Sequence, residues 1–337
     1  MNSKIPFKDI PKISASWSLR DYAGTIMVRS ALGRNIYSIN PGLYRIGNPH
    51  TKSEVFISAN YKLSFDVLRK SLKGLDAWIL ILDTKGVNVW CAAGKGTFGT
   101  KELIRQIRAY QLEQLIETKR LIVPQLGAPG VSAHEVKKET GFKVVFGPVR
   151  AADIRPFLDS GLKATEEMRS VKFGIVDRLI LTPVEISNSL VYLILVIIFF
   201  FLLSGLSKTG YSFQNAINNG ILPGIYIVTA YLSGAFLTPI LLPWLPSRYF
   251  ALKGMITSIV IYTGLIITGI IDFHLFSFIG WLFISMGIAS FLAMNFTGAS
   301  TYTSLSGVKK EMRIFVPVQI LLSISGFVLV IISNIWA

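Results

Sequence analysis

The chain predicts an α/β fold: a Rossmann-like domain with a mostly parallel sheet, followed by an all-α domain of five transmembrane helices. Three observations predict it. Of 34 Lys+Arg and 19 Asp+Glu, only Lys208, Arg248, Lys253, Lys309, Lys310, Arg313, Asp272 and Glu311 lie beyond residue 189. Short apolar runs alternate with helix-like segments up to residue 158, the pattern of a parallel sheet with crossover helices. Beyond residue 189 the chain holds five apolar stretches, each near the ~20 residues that cross a hydrocarbon core of ~30 Å.

Residues 1–50, rich in Ser, Gly, Pro and Asn, read as an irregular arm packed on the soluble domain. Strands are expected at 55–58, 77–82, 120–124 and 143–146, where apolar residues run together between turn signals. Helices are expected at 64–72, 101–117, 133–139 and 151–158. Residues 51–178 then make the cytoplasmic ligand-binding domain and residues 179–337 the membrane domain. The spans are placed at 190–206, 221–242, 254–271, 275–294 and 314–333.

Lys172 and Arg178 precede the first span, Arg248 and Lys253 join the second to the third, and Lys309, Lys310 and Arg313 join the fourth to the fifth. The alternate loops hold only Lys208 and the Asp272/His274 pair. Basic loops on one side make that side cytoplasmic, with the soluble domain, and leave the carboxyl end outside an inner-membrane, multi-pass protein. Trp244, Trp281 and Trp336 are expected as interfacial anchors, with a deeper position for Trp281 as the alternative. Residues 1–24 lack an apolar stretch, so no cleaved signal peptide is expected. The net charge of +15 points to anionic lipid or an acidic ligand. No zinc finger, recognition helix or RNA-binding signature accompanies it, and no nucleic-acid partner is expected.

The chemistry centres on Cys91, the single cysteine, in the run Asn88-Val89-Trp90-Cys91-Ala92-Ala93-Gly94-Lys95. It follows the apolar strand ending at Leu82 and precedes a helix, so it lies at the carboxyl end of a strand, where open α/β sheets bind ligands. Asn88 is a good N-cap, which places Cys91 in the first turn of a helix. The positive end of that helix favours negative charge, and Lys95, four residues on, shares the face of Cys91. Both suit a metal-binding thiolate. A buried core cysteine is the alternative that the residues alone leave open. Gly127, Gly130, Ser132 and Gly147 lie in loops after later strands, where they read either as ordinary turn residues or as backbone contacts to a ligand.

Other chemistries fail on the residues they require. A phosphate-binding G-x-x-x-x-G-K-[ST] loop would need glycine where Val89 stands and a hydroxyl where Gly96 stands. No G-x-G-x-x-G run follows a strand. A cysteine hydrolase needs a histidine partner, for which His50 and His134 are the soluble-domain candidates. The spans show no ionisable residue well inside them, which disfavours ion-coupled transport and favours anchoring.

The eight residues 88–95 resemble, without a departure, the signature of HgcA, the corrinoid-protein family of the microbial mercury-methylating pair. Residues 125–132 and 147–153 extend the resemblance to the corrinoid domain of the corrinoid iron–sulfur proteins of the acetyl-CoA pathway. The resemblance implies a base-off, cobalamin-type corrinoid whose lower face is covered by a cap helix near 88–96. It makes Cys91 the cobalt ligand and catalytic residue. Asn88, Val89, Trp90, Ala92, Ala93, Gly94 and Lys95 become the cap-helix neighbourhood, and Gly127, Gly130, Ser132 and Gly147 backbone contacts to the cofactor.

The implied activity is corrinoid-dependent methyl transfer to Hg(II), the substrate, giving methylmercury. The implied methyl donor is an enzyme linked to methyltetrahydrofolate. A methyl carrier with a different physiological acceptor is the alternative. With one cysteine this chain lacks the ligands for a four-iron cluster. A small ferredoxin-like partner with 4Fe–4S clusters (HgcB) is the implied electron donor, and the bilayer the remaining partner.

Overall fold

A computed structural model describes residues 9–269 and 274–336. The chain forms two compact units. The first comprises the residues up to Val28 together with Leu32–Val171, and the second comprises Arg29–Ala31 and the residues from Lys172 onward.

The first unit contains, in order, β1 (Lys12–Ile13), α1 (Leu19–Arg29), β2 (Gly42–Ile46), β3 (Val55–Ala59), α2 (Lys62–Ser71), β4 (Ala77–Leu82), α3 (Val89–Lys95), α4 (Thr100–Ala109), α5 (Leu112–Leu115), β5 (Arg120–Val123), α6 (Ala133–Thr140), β6 (Lys143–Phe146), α7 (Ile154–Asp159) and α8 (Glu166–Arg169). Among the described residues, six strands form one sheet in the order β1-β2-β4-β3-β5-β6, in which β4, β3, β5 and β6 are parallel. The mostly parallel α/β domain is therefore present. Strand β4 is wholly buried, since helices cover both faces, which is why its sequence AWILIL is apolar without alternation. Two cores result, one around Trp78, Leu80, Phe98 and Leu103, the other around Ile79, Ile81, Leu72 and Phe157.

The reading of residues 1–50 as irregular is corrected within the described part. Helix α1 and strands β1 and β2 lie there, and β2 pairs antiparallel with β4 along its length. Strand β2 (GLYRI) lacks the dense β-branched signal of its neighbours because it is only part-buried. The helix expected over 101–117 is broken at Gln111, whose left-handed backbone (φ 49°) separates α4 from α5. Residues 151–158 begin as a single tight turn over Ala151–Asp153 before α7.

The second unit contains α9 (Ile175–Leu203), a two-stranded hairpin of β7 (Leu206–Ser207) and β8 (Gly210–Tyr211), α10 (Phe213–Asn219), α11 (Ile221–Leu232), α12 (Thr238–Leu241), α13 (Phe250–Ile267), α14 (Leu275–Asn295) and α15 (Leu305–Trp336). A π-helical turn, Ser233–Leu237, joins α11 to α12. Among the described residues, five helical spans are long and apolar enough to cross a membrane: Ile175–Leu203, Ile221–Leu241, Phe250–Ile267, Leu275–Gly298 and Ser306–Asn334. Asp272 and the side chain of Trp336 lie outside the described residues.

The first and fifth helices start earlier than their apolar stretches. The carboxylate of Asp177 accepts the N–H of Gly174 at 2.9 Å and so fixes the start of α9. Glu185 therefore lies inside a span-length helix, and Lys253, Lys309, Lys310 and Arg313 lie on helices rather than in loops. These residues precede the apolar stretches at 190–206, 254–271 and 314–333, so the helices extend beyond those stretches at their charged starts. Trp281, expected near an interface, is buried in the helical core against Phe200 and Tyr226.

Candidate ligand site at the carboxyl edge of the sheet

Strands β3, β4, β5 and β6 are parallel, so their carboxyl ends share one edge. The chain leaves β3, forms β4 on one side of it and then crosses to form β5 on the other, which puts the switch point of the sheet at β3. Open α/β sheets bind ligands in the crevice at such a point. Helix α3, which follows β4, packs against β3 and against the turn Gln125–Gly127 that follows β5. It thus bridges the switch point.

The connection from β4 to α3 is held by named groups. The side-chain oxygen of Asn60, at the end of β3, accepts three hydrogen bonds: from Thr84 N (3.1 Å), Thr84 Oγ1 (2.8 Å) and Gly86 N (2.9 Å). Lys85 and Gly86 take left-handed backbone (φ 57° and 71°), a tight reversal that glycine makes inexpensive at the second position. Glu102 of α4 accepts the N–H of Asp83 at 2.9 Å. Burial opposes the charge of Glu102, yet hydrogen bonds from Arg105, Gln106 and Asp83 N–H hold its carboxyl below the usual glutamate range. The sequence reading missed both Asn60 and Glu102 as positioning residues. A polar side chain directly after a buried strand was the available signal for Asn60.

Helix α3 itself forms as expected. The side chain of Asn88 accepts the N–H of Cys91 at 2.9 Å, and Gly96 closes the helix in left-handed backbone (φ 79°). Val89, Ala92 and Ala93 face inward into the core. The other face presents Trp90, Cys91, Gly94 and Lys95 to the exterior, with Trp90 48% exposed. Cys91 is exposed and free, so the core-cysteine alternative is corrected. Ala92 and Ala93 lie on the opposite, buried face of the same short helix.

A Cβ added at Gly94 would meet no atom within 4 Å, so the outer face of α3 beside the sulfur is flat and open. The loop glycines behave otherwise. A Cβ at Gly127 would lie 2.4 Å from the Phe98 ring, and one at Gly130 only 2.1 Å from the Phe98 carbonyl oxygen and 3.3 Å from Ala93 Cα. Gly130 O also accepts the N–H of Thr100. These two glycines let the 125–130 turn close onto the base of α3. Ser132 caps α6 by accepting the Glu135 N–H at 3.4 Å. Gly147 donates its N–H to Val123 O and lies against Ile122. The edge thus gathers residues 88–96 and 125–132 side by side, with Gly147 at the end of β6. His134 is exposed and His50 lies at the amino end of β3, so neither is shown paired with the thiol.

Among the described residues, no group of three or more His, Cys, Asp or Glu converges to hold a metal ion. Cys91 can serve a metal only as one ligand of a complex that brings its other donors, as a metal macrocycle does. One exposed sulfur on a flat helical face fits that requirement.

Fold and site together define an open α/β domain with a single exposed thiol at its switch point, joined to a unit of membrane-length helices. Known proteins resemble it over the same stretch. The sequence model of the family described as CO dehydrogenase/acetyl-CoA synthase delta subunit (CdhD) matches residues 30–158. The acetyl-CoA decarbonylase/synthase complex subunit gamma of Methanopyrus kandleri is 29% identical over 137 residues, covering 40% of this chain and 29% of that protein. The subunit of the same name from Archaeoglobus fulgidus is 29% identical over 143 residues, covering 40% and 30%. The chain thus spans under a third of the length of these curated relatives. The family match ends before α9.

Proposed function

We propose that the chain is a membrane-anchored, corrinoid-dependent methyltransferase, of the methyl-carrier class suggested by its similarity to the acetyl-CoA decarbonylase/synthase subunits. One observation carries the reading: Cys91, the only cysteine, stands exposed on a flat helix that bridges the switch point within the matched stretch. When bound, the corrinoid supplies a cobalt able to accept and donate a methyl group. The residues of this chain supply its setting. Cys91 would hold the cobalt through its sulfur, in place of the cofactor's own base. Asn88 fixes the direction of the sulfur by capping α3. Gly94 keeps the face beside it low enough for a macrocycle, Trp90 and Lys95 border that face, and buried Val89, Ala92 and Ala93 seat the helix on the core. Gly127 and Gly130 hold the neighbouring turn close, and the backbones of that turn, Ser132 and Gly147 are the nearest candidates for contacts to the rest of the cofactor.

The acceptor we propose is Hg(II), with methylmercury as product. The support is the unbroken run of residues 88–95 and its resemblance to the mercury-methylating family. A carrier that serves another acceptor is the second reading, favoured by the acetyl-CoA decarbonylase/synthase similarity. A folate-linked enzyme is the proposed methyl donor and a small ferredoxin-like protein the proposed electron donor. The soluble unit is proposed to face the cytoplasm and the carboxyl end the exterior, on the placement of the basic residues.

The test is an anaerobic optical spectrum of the full chain loaded with cobalamin, wild type beside Cys91→Ala. Both should bind corrinoid, and only the wild type should show the base-off, thiolate-ligated cobalt spectrum. Coinciding spectra would remove Cys91 from cobalt, and absence of binding by both would overturn the corrinoid reading. Methyl transfer to Hg(II) compared with transfer to a thiol then separates the two acceptors.

A further inference from the structure

Helix α1 is built inside out. Its inward face holds Asp21, Thr25 and Val28. Asp21 pairs with Lys62 at 2.6 Å and Arg69 at 2.8 Å, and Asp66 pairs with the same two cations at 2.6 and 2.8 Å. Burial works against the Asp21 carboxylate, yet hydrogen bonds from Lys62, Ser18 and Arg69 hold its pKa well below the usual range, so this face stays ionised and locked onto α2. The orientation of α1 is thereby fixed by charge rather than by an apolar stripe.

The consequence is that the large apolar residues of α1 other than Val28 point away from the unit. Leu19 (88% exposed), Tyr22, Ile26 (67%) and Met27 lie on the outer side of α1, and Leu32 and Ile36 (84%) continue in the turn after it. Arg20, Arg29 and Arg34 are interspersed among them, and the only acid within α1 is the inward-facing Asp21. Exposed apolar area this concentrated marks an interaction surface. Apolar side chains mixed with arginine are the composition of a helix lying in a bilayer interface.

We infer that α1 and the following turn, residues 19–36, dock on an anionic lipid surface. The choice of lipid over a protein partner rests on charge complementarity. Arginine side chains favour an anionic membrane when near its surface. A chain with five membrane-length helices also has a bilayer within reach. The inference requires nothing of the corrinoid reading and is tested without cofactor.

The single cysteine makes the experiment clean. In full-length chain carrying Cys91→Ser, a nitroxide is placed by Ile26→Cys, Ile36→Cys or, as a control on exposed α6, Lys138→Cys. Each protein is reconstituted in nanodiscs of phosphatidylcholine with or without phosphatidylglycerol. Collision with oxygen, which partitions into lipid, is compared with collision with a water-soluble nickel chelate. Labels at 26 and 36 should favour oxygen over the chelate several-fold more than the label at 138. That preference should weaken without phosphatidylglycerol and when Arg20→Gln, Arg29→Gln and Arg34→Gln are combined. Chelate access at 26 and 36 equal to that at 138 would place the face in water and overturn the inference. Labels shielded from both reagents would show protein covering the face, by a partner or a second copy, and overturn it equally. Because all three labelled positions are exposed, the substitutions leave the core and the Asp21 cluster in place.

Discussion

Helix α3 and the turn over residues 125–132 meet at the carboxyl edge of the sheet, and both carry glycine where a ligand is expected to approach. Their glycines do opposite work. Gly94 has empty space where a Cβ would stand, while Gly127 and Gly130 are pressed against Phe98. One segment uses glycine to keep a surface open, the other to bring two backbones together. Openness at α3 therefore depends on closeness beneath it, because the turn that carries Gly130 supports the residues on which α3 rests.

The comparison breaks most sharply at Gly130. Gly130→Ala forces a methyl into the Phe98 carbonyl, a backbone atom with no freedom to swing aside, and should cost about 3 kcal/mol. A thermal melt should fall, and the proposed corrinoid binding should fall with it. Asn60→Ala comes next, removing the acceptor shared by Thr84 and Gly86, with a cost of about 2 kcal/mol because buried donors lose their partner. Hydrogen exchange should quicken at residues 84–88 before it does in β4.

Asn88→Ala removes a cap and should cost about 1 kcal/mol. Asn88→Asp, which keeps an acceptor, should restore the melting temperature. Gly94→Ala should have the opposite sign, stabilising by roughly 0.5–1 kcal/mol because alanine suits a helix interior better than glycine. Corrinoid binding measured by titration should nonetheless weaken. A stable Gly94→Ala protein that binds as the wild type does would show that this face is not where the ligand lies.

The smallest effect concerns pH. The carboxyl of Glu102 lies below the usual range when folded, so its contribution is fully present above its unfolded pKa of about 4.3. It is lost as pH falls through the folded value. Melting temperature followed downward from neutral pH should drop less steeply in Glu102→Gln than in the wild type.

Strands β3 to β6 were legible in the sequence because each is a short, continuous apolar run, and in each the expected and observed bounds agree within a residue. The cap of α3 was legible too, since Asn88 stands three residues before the N–H that it accepts. Helix α1 was not, because its buried side is held by Asp21 and its apolar side faces out, the reverse of the pattern that marks a surface helix. Strand β2 escaped because half-burial leaves no apolar run. The exposure of Cys91 was hidden for a different reason: the eight-residue run is apolar on average, and only the helical turn separates Ala92 and Ala93 from the sulfur. The packing duty of Gly127 and Gly130 depends on Phe98, about 30 residues away, and no local pattern encodes it.

Among the described residues, the sheet ends in two short rims. Strand β1 offers two residues to the outside and β6 four, the first of them an exposed lysine, Lys143. Unpaired strand edges template the addition of further strands, and brevity and charge are what blunt them. Tethering to a bilayer would confine such domains to a plane and raise their encounter rate far above that in solution. A sheet with these rims tolerates crowding of that kind, because neighbouring copies find too little bare backbone to join edge to edge.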